Sequence, residues 1–211
     1  MSEALLAIGT PTAEVRRLAE LLGAELLALP AAAPASARDA ELERWRARAR
    51  ELAPRRRIVV AAWRAEASPG ALLGLADEAW CARAEDPLVD WMVALGSASA
   101  LCADGGSLVA VVERPAPLDA SGWVPEAGVA DAVEALVRSL ARSEGPRGVR
   151  VNAVATPVRL VSGPVVAPAP PLAAFPGALE REVVGAVRLL LGDDACGLTG
   201  SVLAADCGRS W

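Results

Sequence analysis

Side chains able to move a proton or attack an electrophile are scarce in this sequence. It contains no His, no Tyr and no Lys, so the commonest general acids and bases are missing from the whole chain. Any chemistry would rest on carboxylates, thiols or hydroxyls. Ser97, Ser99 and the four cysteines, Cys81, Cys102, Cys196 and Cys207, lack a His or Lys to activate them as nucleophiles. The cysteines show neither CxxC spacing nor a neighbouring His, and they read as small core residues of a reducing compartment, not as metal ligands or a disulfide framework. No metal site is expected. Two carboxylates are placed for acid or base work, Asp86 and Glu126. A buried carboxyl in a cleft can act so, but a Glu in the first turn of a helix more simply complements the helix dipole.

The elements that must carry these residues are legible from apolar patterning. Hydrophobic residues make up 54% and charged residues 22%, which excludes disorder and coiled coil. The length fits one domain over residues 1–211. The runs Ala4 to Ile8, Ala24 to Leu29, Arg57 to Ala62, Ser107 to Val112, Gly148 to Val154 and Ser201 to Ala205 have the short, continuous apolar form of buried parallel strands. Between them lie helical patterns. Thr10 and Pro11 are expected to cap and open the first helix, and Ser36 to cap the second, which Pro54 ends. The residues from Ala103 to Gly106 are expected to form a loop. Strands alternating with helices predict an α/β fold, a doubly wound parallel sheet of about six strands. The net charge of −5 without a basic stripe argues against nucleic acid. No apolar run approaches the roughly 20 residues of a membrane span, and Met1 to Gly9 lacks the form of a signal peptide; a cytoplasmic location is expected.

From Asp131 to Val154 the sequence, with Ala132-Val-Glu-Ala-Leu-Val-Arg-Ser-Leu-Ala-Arg-Ser-Glu-Gly-Pro-Arg-Gly-Val-Arg-Val-Asn-Ala-Val154, resembles the helix and strand that follow the active site in short-chain dehydrogenases/reductases. Leu191-Gly-Asp-Asp-Ala-Cys-Gly-Leu-Thr-Gly200 and the following Ser201 to Gly208 are similar to that family's last helix end, Thr-Gly turn and last strand. Gly105-Gly106-Ser107-Leu-Val109 resembles the strand before its catalytic serine. The likeness is strong in the second half of the chain and faint in the first. It implies a Rossmann-like sheet. Only one helix fits between the second strand and Arg57, where the family has a helix, a strand and another helix, so the third, edge strand is expected to be deleted.

Carried over by position, the resemblance implies that the family's working residues are gone. Its Tyr falls at Glu126 and its Lys at Ala130; its Ser falls near Val112 or Glu113, and its Asn near Pro87. Of the glycine-rich turn that cradles a dinucleotide's pyrophosphate, only Gly9 remains, followed by Thr10 and by Pro11, which has no N–H to donate. No cofactor is expected. In the family, helices matching Asp86 to Cys102 and Glu126 to Ser143 form subunit contacts, as do the last helix and strand. Trp91, Leu95, Val133, Val137, Leu140 and Trp211 are therefore candidate interface residues. The leading expectation is a non-catalytic subunit that pairs with an active paralogue in a hetero-oligomer, or with itself. The alternatives are an enzyme of altered chemistry using Glu126 or Asp86 and a homo-oligomeric small-molecule-binding protein.

Overall fold

The computed structural model describes residues 4–30, 35–64, 67–117, 120–160 and 178–209. Six strands, β1 (Leu6–Gly9), β2 (Glu25–Ala28), β3 (Arg55–Ala61), β4 (Cys102–Glu113), β5 (Arg150–Thr156) and β6 (Val202–Ala204), form one sheet in the order β2-β1-β3-β4-β5-β6. Every neighbouring pair is parallel. The helices are α1 (Ala13–Leu22), α2 (Ala35–Arg50), α3 (Asp77–Trp80), α4 (Asp86–Leu101), α5 (Val124–Glu144) and α6 (Val184–Leu191). Helix α1 packs on α6, while α4 packs on both α2 and α5, so the sheet is covered on both faces. This is why its central strands are apolar without alternation: Leu108 to Val111 on β4, and Val151, Ala153 and Val154 on β5, have no exposed surface.

Among the described residues no strand lies outside β2, in keeping with the expected deletion. The exposed rim of β2 is blunted by Trp45 of α2, whose indole N–H donates to the Ala28 carbonyl at 2.7 Å. An indole thus takes up one backbone acceptor that a further strand would otherwise have used. The chain reverses its direction of travel across the sheet between β1 and β3, which places the usual ligand crevice of such a fold outside their carboxyl ends.

Several boundaries differ from those expected. Thr12, not Thr10, caps α1, accepting from the Val15 N–H at 3.3 Å; Thr10 is occupied elsewhere. Helix α2 already begins at Ala35, which leaves Ser36 inside its first turn. Strand β4 begins at Cys102, so Ala103 to Gly106 belong to it. The register with β3 jumps from Arg55↔Cys102 to Arg57↔Ser107, and this irregular stretch of strand is what reads as a loop in sequence. It requires Gly106, where a Cβ would stand 2.7 Å from the Ala103 carbonyl oxygen and 2.8 Å from that of Arg56. The weakly patterned stretch before α4 holds α3 and a π-helical turn, Cys81–Glu85.

At the amino edge of the sheet, arginines terminate the helices that end there. Arg147 donates to the carbonyls of Ser99 at 3.1 Å and of Cys102, Arg150 to those of Leu190 at 2.8 Å, Gly192 at 3.0 Å and Ala195 at 3.1 Å, and Arg188 to that of Leu21 at 2.8 Å. Each guanidinium meets the negative end of a helix dipole and satisfies carbonyls the helix leaves open. Asn152, fully buried, ties β6 to β5 by donating to the Leu198 carbonyl at 2.8 Å and accepting from the Ser201 N–H at 3.0 Å.

Replacing Arg150 by Ala is expected to lower stability by about 2 kcal/mol, because charge-assisted bonds to buried carbonyls are lost; the urea midpoint of unfolding reads this. Cys196 is exposed, whereas burial pushes the Cys102 thiol up to about 11. A maleimide at neutral pH should modify Cys196 in the native protein, and Cys102 only after unfolding.

Candidate functional site

The crevice at the carboxyl ends of β3 and β4 holds a cavity of about 70 Å³. Strand β3 leads into Ala62, Trp63 and Arg64 on its wall; β4 supplies Val112 and Glu113; the segments flanking the starts of α4 and α5 supply Arg83, Pro87, Trp91, Trp123, Glu126 and Val129; and the turn after β5 supplies Arg159 and Leu160. The positions matched by sequence to the Asn, Ser and Tyr of the family, Pro87, Val112 and Glu126, thereby line the same cavity. Ala130, one helical turn beyond Glu126, is fully buried behind it.

Glu126 is not free to act as an acid or base. Arg83 clamps it through two bonds of 2.7 Å, Nε to Oε1 and Nη2 to Oε2, and donates also to the Gly122 carbonyl at 3.1 Å. The guanidinium lies 5.7 Å from the centre of the Trp123 ring, so it is fixed by a charge pair and by ring stacking together. Asp86 is held by Arg38, which also reaches Asp90 at 2.8 Å; Arg64 meets Asp90 at 2.5 Å and Asp86 at 3.9 Å. Glu113 pairs with Arg159 at 2.6 Å, and that guanidinium lies 5.5 Å from the centre of the Trp63 ring. Each carboxylate named here thus stands against a guanidinium.

Trp63 and Arg159 drew no attention in the sequence, yet they define the crevice. Trp63 is buried, and its indole donates to the Val111 carbonyl at 2.7 Å, which binds the residues after β3 to β4 near its carboxyl end. A tryptophan placed directly after a strand that ends at a ligand crevice was the available signal. Arg159 had none, since only the fold brings the turn after β5 against Trp63.

The fold implies a nicotinamide dinucleotide, and the residues present do not fit one. Such a cofactor needs unspent backbone donors at the start of α1. Here the Thr12 N–H goes to the Thr10 carbonyl at 2.8 Å and the Val15 N–H to Thr12. The Thr10 hydroxyl donates to the Trp63 carbonyl, tying the turn down onto the residues after β3. Gly9 faces protein and not an open cradle: a Cβ there would collide with the Ala61 carbonyl oxygen and stand 2.9 Å from Val15 Cγ1. The vestigial Gly9 and Thr10 are therefore packing residues. A cavity of about 70 Å³ is also far below the roughly 300–1,000 Å³ of cofactor-sized pockets.

The candidate interface residues are largely buried within the protomer. Trp91, Leu95, Val133 and Val137 lie in the protomer's own core, and Leu140 is half-buried; the apolar stripe of each helix faces inward. Trp211 lies outside the described residues. The outward faces carry other residues: Val89 and Met92, 40% and 53% exposed, on α4, and Val124, 44% exposed, at the start of α5.

No protein-family model and no curated protein matches the chain in sequence. Solved structures do match. A short-chain dehydrogenase/reductase from Serratia marcescens is 22% identical, with a TM-score of 0.66 over 100% of this chain and 99% of that one. A blue fluorescent protein from a metagenomic library, solved with NADPH, is 22% identical, with a TM-score of 0.64 over 97% and 87%. An enoyl-(acyl-carrier-protein) reductase from Anaplasma phagocytophilum, solved with NAD, is 20% identical, with a TM-score of 0.58 over 96% and 80%. The likeness read from Gly105 to Val109, Asp131 to Val154 and Leu191 to Gly208 is therefore matched by the architecture, and the chain has the fold of the short-chain dehydrogenases/reductases.

Proposed function

We propose that this chain is a non-catalytic subunit that pairs with an active short-chain dehydrogenase in a hetero-oligomer and stabilises or completes that partner's substrate pocket. One observation carries the reading: where the family places a hydroxyl and an ammonium one helical turn apart, this chain has Glu126, locked by Arg83, and the buried Ala130. Ketone and alcohol chemistry needs a group that gives a proton to the substrate oxygen and another that lowers its pKa. Neither Glu126 nor Ala130 offers such a donor, and in the turn after β1 Pro11 has no N–H while the Thr12 N–H is spent on the Thr10 carbonyl. The sheet and its covering helices are nevertheless kept.

The contact is placed on the outward faces of α4 and α5. Val89 and Met92 stand one turn apart in their exposure on α4, with Gly96 exposed on the next turn. An apolar patch flanked by a small residue allows close approach of a second helix. Among the described residues no helix is long and apolar enough to cross a membrane, and a partner in the cytoplasm goes with this reading.

Co-expression with dehydrogenases encoded beside its gene tests it. The expected result is a co-purifying complex that Met92→Arg breaks while the circular dichroism of the isolated chain stays unchanged. Recovery only as a homo-oligomer, with the neighbours' activity unaltered, contradicts it. In the isolated chain, Glu126→Gln should lower stability by about 1–3 kcal/mol by leaving the Arg83 charge without its partner. If Glu126 were instead a working acid or base exposed to substrate, the same change would leave stability unaltered or raise it.

A further inference from the structure

The guanidiniums of the crevice are not equally satisfied. Arg83 spends its donors on Glu126 and Gly122. The side chain of Arg159 is only 5% exposed, and its Nε and Nη1 have no hydrogen-bond acceptor among the described residues; the same holds for Nε of Arg64. Glu113 lies 2.6 Å from Arg159 Nη1, close enough for an ion pair but not aligned as a hydrogen bond, and Glu14 stands 4.0 Å from Nε. The two arginines are joined, because Arg159 Nη2 donates to the Arg64 carbonyl at 2.7 Å. Buried N–H groups of charged side chains are rarely left without an oxygen.

We propose that the cavity between Trp63, Trp91 and Trp123 binds one small monocarboxylate of two to four carbons, its head group taking the Nε donors of Arg159 and Arg64 and its alkyl end lying against the indoles. An N–H of a charged guanidinium is a strong donor to a carboxylate oxygen. The cavity of about 70 Å³ admits only a small group. Indoles form much of the remaining wall, which suits a short alkyl group and offers a phosphate few donors for its other oxygens. This site does not depend on the chain having a partner, and binding of a carboxylate by the isolated chain leaves the subunit proposal untouched either way.

Titration of the isolated chain with acetate, propionate and butyrate, followed by tryptophan fluorescence and by calorimetry, tests the site, with butyramide and inorganic phosphate as controls. The expected result is saturable binding of at least one carboxylate, weaker by about tenfold or more for butyramide, which lacks the charge that strengthens these bonds. The paired change Arg159→Met with Glu113→Gln removes the donor without stranding a carboxylate and should raise the dissociation constant by a similar factor. No saturable response to any carboxylate means that water alone satisfies these donors and overturns the proposal. Equal binding of butyramide or of phosphate overturns it too, since neither reads a monocarboxylate. Should the paired variant not fold, the comparison of butyrate with butyramide on the unaltered chain decides.

Discussion

The pairing of guanidinium with carboxylate across the carboxyl edge of the sheet is the interaction on which this crevice depends. Arg83 with Glu126, Arg159 with Glu113, and Arg38 and Arg64 with Asp86 and Asp90 join segments far apart in sequence where the fold otherwise has its ligand. Removing one member of such a pair costs more than the pair itself contributes, because the other charge is left in a poorly solvated place. Arginine suits the role: it stays charged and can stack on an indole while it hydrogen-bonds, as Arg83 does on Trp123 and Arg159 on Trp63. The absence of Lys from the sequence thus has a structural counterpart as well as a chemical one.

The same residue type performs a different task at the opposite edge. There Arg147, Arg150 and Arg188 bond backbone carbonyls at helix ends, where a cation gains from the helix dipole. Charge pairs hold the carboxyl edge, and at the amino edge bonds to helix-end carbonyls join charge pairs such as Arg147 with Glu144. Between them the apolar interior of β4 and β5 supplies the hydrophobic free energy that makes either arrangement tolerable.

How far the sequence revealed this varied with the range of the interactions. Strand positions and fold class followed from apolar runs such as Leu108 to Val112 on β4, because burial on both faces leaves a local signature. Pro87, Val112 and Glu126 lie outside the stretches that carry the likeness and were matched by position alone; all three line one cavity. What the sequence hid was non-local. The Thr10 hydroxyl serves the Trp63 carbonyl 53 residues away, which moves the cap of α1 to Thr12. The β3–β4 irregularity at Gly106 disguises strand as loop. The burial of the candidate interface residues was hidden for a related reason: periodicity finds the apolar stripe of α4 and α5, and in a sheet covered on both faces that stripe serves the core, as Trp91 and Val137 do.

The central claim is that this crevice is closed to a dinucleotide by the Thr10 tie, Trp63 and the paired arginines. A crystal structure of the chain grown with saturating NADPH tests it most directly. The account predicts no dinucleotide in the crevice, with Arg83 still on Glu126 and the Trp63 indole still on the Val111 carbonyl. An ordered dinucleotide along the start of α1, with its nicotinamide against β4 and Trp63 displaced, would contradict it.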